Sequence, residues 1–147
     1  MKYFVHILFT FLMGSVLVTA CGPAEKELQD KLMGEVMAVH DEVMPKMGQI
    51  HELEKAVGSK ITMLTADSTA IPDSAMLATL QQVATNLKNA DDGMMNWMRE
   101  FEKPDPATQS HEEIMEYLTG EMVKVEEVKT SMLSAIEEAN GLVSKQP

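Results

Sequence analysis

The amino-acid sequence predicts an all-α fold, an up-down-up bundle of three long helices with coiled-coil-like packing. Two observations carry this reading. Apolar residues recur at alternating steps of three and four through most of the chain beyond residue 20, the spacing of a helix with one buried face. No stretch beyond residue 20 alternates apolar and polar residues as a half-buried strand would.

The first helix is expected over residues 25–57. Its seam follows Leu32, Val36, Val39, Val43, Ile50, Leu53 and Val57, with Lys46 breaking the heptad. Gly58-Ser59 reads as its C-terminal stop. Residues 59–71, rich in Thr, Ser and Asp, read as a connection. Pro45 lies inside the helix, lacks an N–H and crowds the preceding turn. A kink is therefore expected near residues 41–44. The seam keeps its phase across it, which argues against two unrelated helices.

The second helix starts after Pro72, with Asp73 or Ser74 as the N-cap. Its seam, Met76, Leu80, Val83, Leu87, Ala90, Met94, Trp97 and Phe101, is unbroken, and Lys103-Pro104-Asp105-Pro106 ends it. Ser110-His111-Glu112-Glu113 has the pattern of a capping box and opens the third helix. That seam is Ile114, Leu118, Glu121, Val125, Val128, Met132, Ala135, Ala139 and Leu142, with Glu121 its one charged member and Gly141 near its end. Helices of about 30 residues are ~45 Å long. The short second connection makes helices two and three antiparallel. A helical hairpin that dimerises is the competing architecture.

Residues 1–20 read as a secretion signal. Met1-Lys2 supplies a positive start, and an apolar run follows over residues 3–18, interrupted by His6, Thr10, Gly14 and Ser15. The run approaches the ~18–20 residues that span a bilayer, but no Lys or Arg cluster closes it. It ends in Val18-Thr19-Ala20-Cys21, which holds the one cysteine of the chain. That tetrapeptide resembles the bacterial lipobox, with Val18 where Leu is usual. The resemblance implies cleavage before Cys21 and acylation of its thiol, palmitate among the acyl groups. Residues 21–147 then form a lipid-anchored helical domain. Two or more acyl chains, at ~0.8 kcal/mol per buried methylene, anchor stably. Gly22 stands where Asp would retain a lipoprotein at the inner membrane under the enterobacterial sorting rule, so the outer membrane is expected. Ala24-Glu25-Lys26-Glu27 faintly resembles surface-export tethers and leaves the periplasmic and surface faces both open.

The 147 residues carry a net charge of −11, and loss of Lys2 with the signal deepens it. Such a surface disfavours nucleic acid and anionic lipid as partners. No dinucleotide, P-loop, zinc-protease or serine-hydrolase motif occurs, and no enzyme is expected.

Methionine is abundant, with 14 in the chain. Met33, Met37, His40, Met44, Met47 and His51 form a stripe along one face of the first helix. Thioether and imidazole ligands suit copper(I), and His40, Met44, Met47 and His51 are the candidate ligands. The competing reading is packing, because Met fills helical cores readily. If the helices meet at residues 58 and 73, and again at 102 and 109, then His40, Asp91 and Glu121 share a level. Gly34, Gly93 and Gly120 share another, towards the N-terminal end. A polar His40–Asp91–Glu121 cluster could bind a divalent cation, against a plain seam with Glu121 at its rim. Glu112-Glu113, Glu126-Glu127 and Asp41-Glu42 read as solvated faces.

The stretches His40-Asp41-Glu42-Val43-Met44-Pro45-Lys46-Met47-Gly48 and Asp91-Asp92-Gly93-Met94-Met95-Asn96-Trp97-Met98, with the lipobox, resemble small Bacteroidota lipoproteins often labelled "viral A-type inclusion protein". The resemblance covers essentially the whole chain and carries no established activity or catalytic residue. The resulting expectation is a non-catalytic envelope lipoprotein for structure or protein interaction, meeting an envelope protein through a Met-rich groove. The competing expectation is a copper-binding envelope protein.

Overall fold

The computed structural model describes residues 23–66 and 74–144. Cys21 and the proposed N-cap Asp73 lie outside the described residues. Four α-helices follow in order: α1 (Pro23–Val43), α2 (Met47–Ala66), α3 (Ser74–Glu100) and α4 (His111–Val143), with a 3₁₀ turn at Met44–Lys46 between α1 and α2. α1 and α2 are the two halves of the first long helix, so the architecture is the three-helix, up-down-up bundle. The chain is all-α, with no strand among the described residues.

Pro45 explains the break. Its ring and missing N–H are tolerated in the first turn of a helical segment, and the 3₁₀ turn opens there, with Val43 as its N-cap. The apolar seam passes through the break: Val36, Val43, Ile50, Leu53 and Val57 are all buried. Met47, adjacent to Lys46, is buried too and carries the core past the point where the heptad fails.

The first helix does not stop at Gly58-Ser59. It runs on to Ala66, which absorbs the first half of the expected connection. Hydroxyls that read as turn formers bond back to the helix instead. Ser59 Oγ donates to the Lys55 carbonyl (2.9 Å), Thr62 Oγ1 to Gly58 (2.9 Å) and Thr65 Oγ1 to Ile61 (3.0 Å). Ile61 and Leu64 pack against the core, so the extension gains apolar burial as well.

α3 buries Leu80, Val83, Leu87, Ala90, Met94 and Trp97. Met76, the expected first seam residue, is exposed. α4 begins at a complete capping box: Ser110 Oγ accepts from the Glu113 N–H, and the Glu113 carboxylate accepts from the Ser110 N–H at 2.8 Å. The Ser110 N–H and hydroxyl together hold the Glu113 carboxyl below its ordinary range.

Cross-helix polar contacts set the register. α4 runs parallel to α1 and α2: Gln29 Nε2 lies 3.0 Å from His111 Nδ1, Lys129 Nζ donates to Glu42 (2.8 Å), and Lys60 Nζ donates to the Leu142 carbonyl (2.7 Å). α3 runs antiparallel to both, with His51 paired to Asp91 and Asn86 to Glu138. The α1 N-terminus, the loop over residues 101–110 and the start of α4 therefore share one end. α1 packs chiefly on α4, whereas α2 packs on both α3 and α4. Among the described residues no helix is long and apolar enough to cross a membrane.

Candidate functional site

The expected His40–Asp91–Glu121 cluster does not form. His40 Nδ1 pairs with Asp41 Oδ1 and His51 Nε2 with Asp91 Oδ1, each at 2.8 Å, while Lys124 Nζ donates to Glu121 Oε1 at 2.8 Å. For His40 and Asp91 the cause is the longer first helix. Moving its end from residue 58 to Ala66 shifts the register against α3 by about two turns. Asp91 consequently meets His51, and His40 meets Trp97.

The four candidate copper ligands do not converge either. His40 and His51 are eleven residues apart on one helical course, or roughly 16 Å at 1.5 Å per residue. Their settings differ as well: the His40 side chain is 15% exposed and the His51 side chain 53%. Met44 is half-buried against the core and Met47 is buried within it. Packing accounts for Met37, Met44 and Met47. Among the described residues no group of three or more His, Cys, Asp or Glu side chains is placed to hold a metal ion.

The expected glycine layer is also absent. A Cβ on Gly93 would meet Val128 Cγ2 at 3.9 Å, ordinary contact, and one on Gly34 or Gly120 would meet nothing within 4 Å. No close backbone approach needs these glycines, and Gly93 faces Val128 rather than Gly120.

Among the described residues Glu121 is the one buried carboxylate, 3% exposed, and not a rim residue. Its partner Lys124 reaches in from the surface one turn on, and the hydrogen bond and charge of Glu121 raise the Lys124 ammonium above its ordinary range. The expected solvated faces are exposed: Glu112, Glu113, Glu126, Glu127, Asp41 and Glu42.

An aromatic ladder occupies the half of the bundle that holds the α1 N-terminus. The His40 and Trp97 rings are 5.6 Å apart, Trp97 and Phe101 5.1 Å, and Phe101 and Tyr117 6.2 Å. It joins α1, α3 and α4 through the residue that follows α3. The Tyr117 hydroxyl accepts the Glu102 N–H at 2.8 Å, fixing the start of the 101–110 loop, and burial pushes its phenol up. Trp97 is 5% exposed and its Nε1 has no hydrogen-bond partner. An orphaned donor costs ~1–3 kcal/mol. Burying ~200 Å² of indole at ~25 cal/mol per Å² contributes about 5 kcal/mol, so packing outweighs the loss.

The expected Met-rich groove is replaced by one of different composition. Met94 and Met132 point into the core with Met47. The open groove runs along the outer seam of α3 and α4, walled by Ala, Asn, Ser and Glu side chains, with Met122 at one edge. The sequence reading missed it; the signal that could have found it is the run of uncharged positions on α3 between its core seam and its charged outer face.

Comparison with protein-family models, with curated proteins and with solved structures returned no match.

Proposed function

We propose that the chain is a lipid-anchored protein of the bacterial cell envelope, a non-catalytic helical module for structure or protein interaction. The observation that carries this reading is Val18-Thr19-Ala20-Cys21, at the end of an apolar run and two residues before Pro23 opens α1. Support comes from the charge and the form of the bundle. A net charge of −11 keeps a tethered rod off an anionic bilayer. The α1 N-terminus lies at one end of a bundle whose longest helix, α4, is about 50 Å at 1.5 Å per residue. A tether there lets the module project from the membrane. The outer membrane is the proposed site, from Gly22 after the cysteine, and the partner is a protein of the envelope.

Membrane fractionation tests this directly. The native chain is expected to sediment with membranes and to incorporate labelled palmitate, while Cys21→Ser incorporates none and loses its membrane attachment. A Cys21→Ser chain that remains bound to membranes as the native one does contradicts the proposal.

A further inference from the structure

The methionines divide by depth. Met47, Met94 and Met132 are core residues, none more than 8% exposed. Met37, Met44 and Met98 are half-buried against that core. Met63, Met95 and Met76 stand open to solvent, at 73%, 43% and 41% exposure, and make up three of the six large apolar side chains exposed among the described residues. Packing explains the first two groups and leaves the third without a role.

Their positions agree with this. α2 buries Met47, Ile50, Leu53 and Val57, and Ile61 and Leu64 continue that face, so Met63 falls on the outer side of the helix. Met95 lies one turn from Asp92 and one turn from Arg99, both exposed. Met76 is one turn before Leu80, the first buried residue of α3, where the bundle ends. Met63 and Met76 lie close to the end of α2 and the start of α3, at the end of the bundle opposite the α1 N-terminus.

We propose that Met63, Met95 and Met76 are oxidation sites, at which a peroxide converts the thioether to a sulfoxide while the bundle stays folded. The sulfur lone pair attacks one peroxide oxygen and the O–O bond breaks. The second oxygen leaves as water when the oxidant is hydrogen peroxide. Sulfur loses two electrons, the peroxide gains them, and no bond of the chain is cut. Susceptibility follows exposure. A sulfoxide oxygen at the three open positions is solvated by water. The same oxygen at Met47, Met94 or Met132 would be a buried acceptor without a donor, and the core would have to open to admit it. Methionine sulfoxide reductases, one for each sulfoxide epimer, return the thioether, and exposed sites are the ones they reach without unfolding the chain. Sulfoxides at Met63 and Met76 turn an apolar tip polar. Under the anchor proposed above, that tip is the end farthest from the membrane, although the oxidation chemistry itself does not depend on the anchor.

A hydrogen peroxide time course on cells carrying the full chain, followed by extraction and peptide mapping by tandem mass spectrometry, tests the proposal. Met63 is expected to oxidise first. Met63, Met95 and Met76 should each oxidise at least about fivefold faster than Met47, Met94 and Met132, the ratio of 41% to 8% exposure. The extracted chain with all three sulfoxides is expected to keep its helical circular dichroism and thermal midpoint, and reductase treatment should restore the three thioethers. A chain with Met63→Leu, Met76→Leu and Met95→Leu should lose the three early oxygen additions. Three outcomes overturn the proposal: buried methionines that oxidise as fast as the open three, early oxygen additions that persist in the triple leucine chain, or a midpoint that falls once the three sulfoxides have formed. Recovery of the chain in the soluble fraction would refute the anchor and leave the order of oxidation as a separate readout.

Discussion

The His40 imidazole packs against the Trp97 indole, with ring centroids 5.6 Å apart and planes tilted by 33°. This contact ties α1 to α3 just before the Met44–Lys46 turn redirects the helix. Trp97→Ala is therefore expected to cost about 3–5 kcal/mol, read as a lower midpoint in chemical denaturation. Trp97 is the one tryptophan in the chain, so its emission reports the same contact. His40→Ala should shift that emission in the folded state, and His51→Ala should not.

Glu121 is buried with a surface lysine as its hydrogen-bond partner. Exchanging a buried ion pair for well-packed apolar groups is often neutral or stabilising, whereas removing one partner strands a charge. Glu121→Leu removes the desolvated carboxylate and leaves Lys124, whose side chain is 59% exposed, to water, so the thermal midpoint is expected to stay unchanged or rise. Lys124→Ala should lower the midpoint. A large loss in Glu121→Leu would assign the carboxylate a role beyond packing.

The α4 cap titrates. The Ser110 N–H and hydroxyl hold the Glu113 carboxyl below its ordinary value of 4.5. A group whose folded pKa is depressed contributes stability that is full above the unfolded value and lost as pH falls through the folded one. The cost of Ser110→Ala, about 1 kcal/mol at neutral pH, should therefore shrink as the pH is lowered below about 4.5. Denaturation of both chains across that range checks it. A cost independent of pH would remove Glu113 from the cap.

Copper(I) offers a further check. His40 and His51 are separated along the helix, and each is paired with its own carboxylate. A competition titration of the folded chain is expected to give no binding tighter than a weak chelator. One tight site lost in both His40→Ala and His51→Ala would contradict the separation.

Much of the core was legible in the spacing of single residues. Val36, Val43, Ile50, Leu53 and Val57, then Leu80 to Trp97, are buried where steps of three and four place them. The Ser110–Glu113 cap was readable because its two residues are local and reciprocal. The end of the first helix was not. Ser59, Thr62 and Thr65 favour turns in isolation, and only the tertiary burial of Ile61 and Leu64 commits them to back-bonding in a helix. That boundary moved the register of the first helix against α3, and the ten-residue loop over 101–110 separately moved α3 against α4, where Gly93 faces Val128. Local spacing says which face is buried. The level at which two faces meet depends on where the turns fall.

The central claim is the lipid anchor, and intact mass spectrometry of the membrane-extracted protein tests it most directly. The account predicts a chain that begins at Cys21, lacks residues 1–20 and carries the added mass of a diacylglyceryl group on its cysteine. A chain that retains Met1, or one that begins near residue 21 with an unmodified thiol, would contradict it.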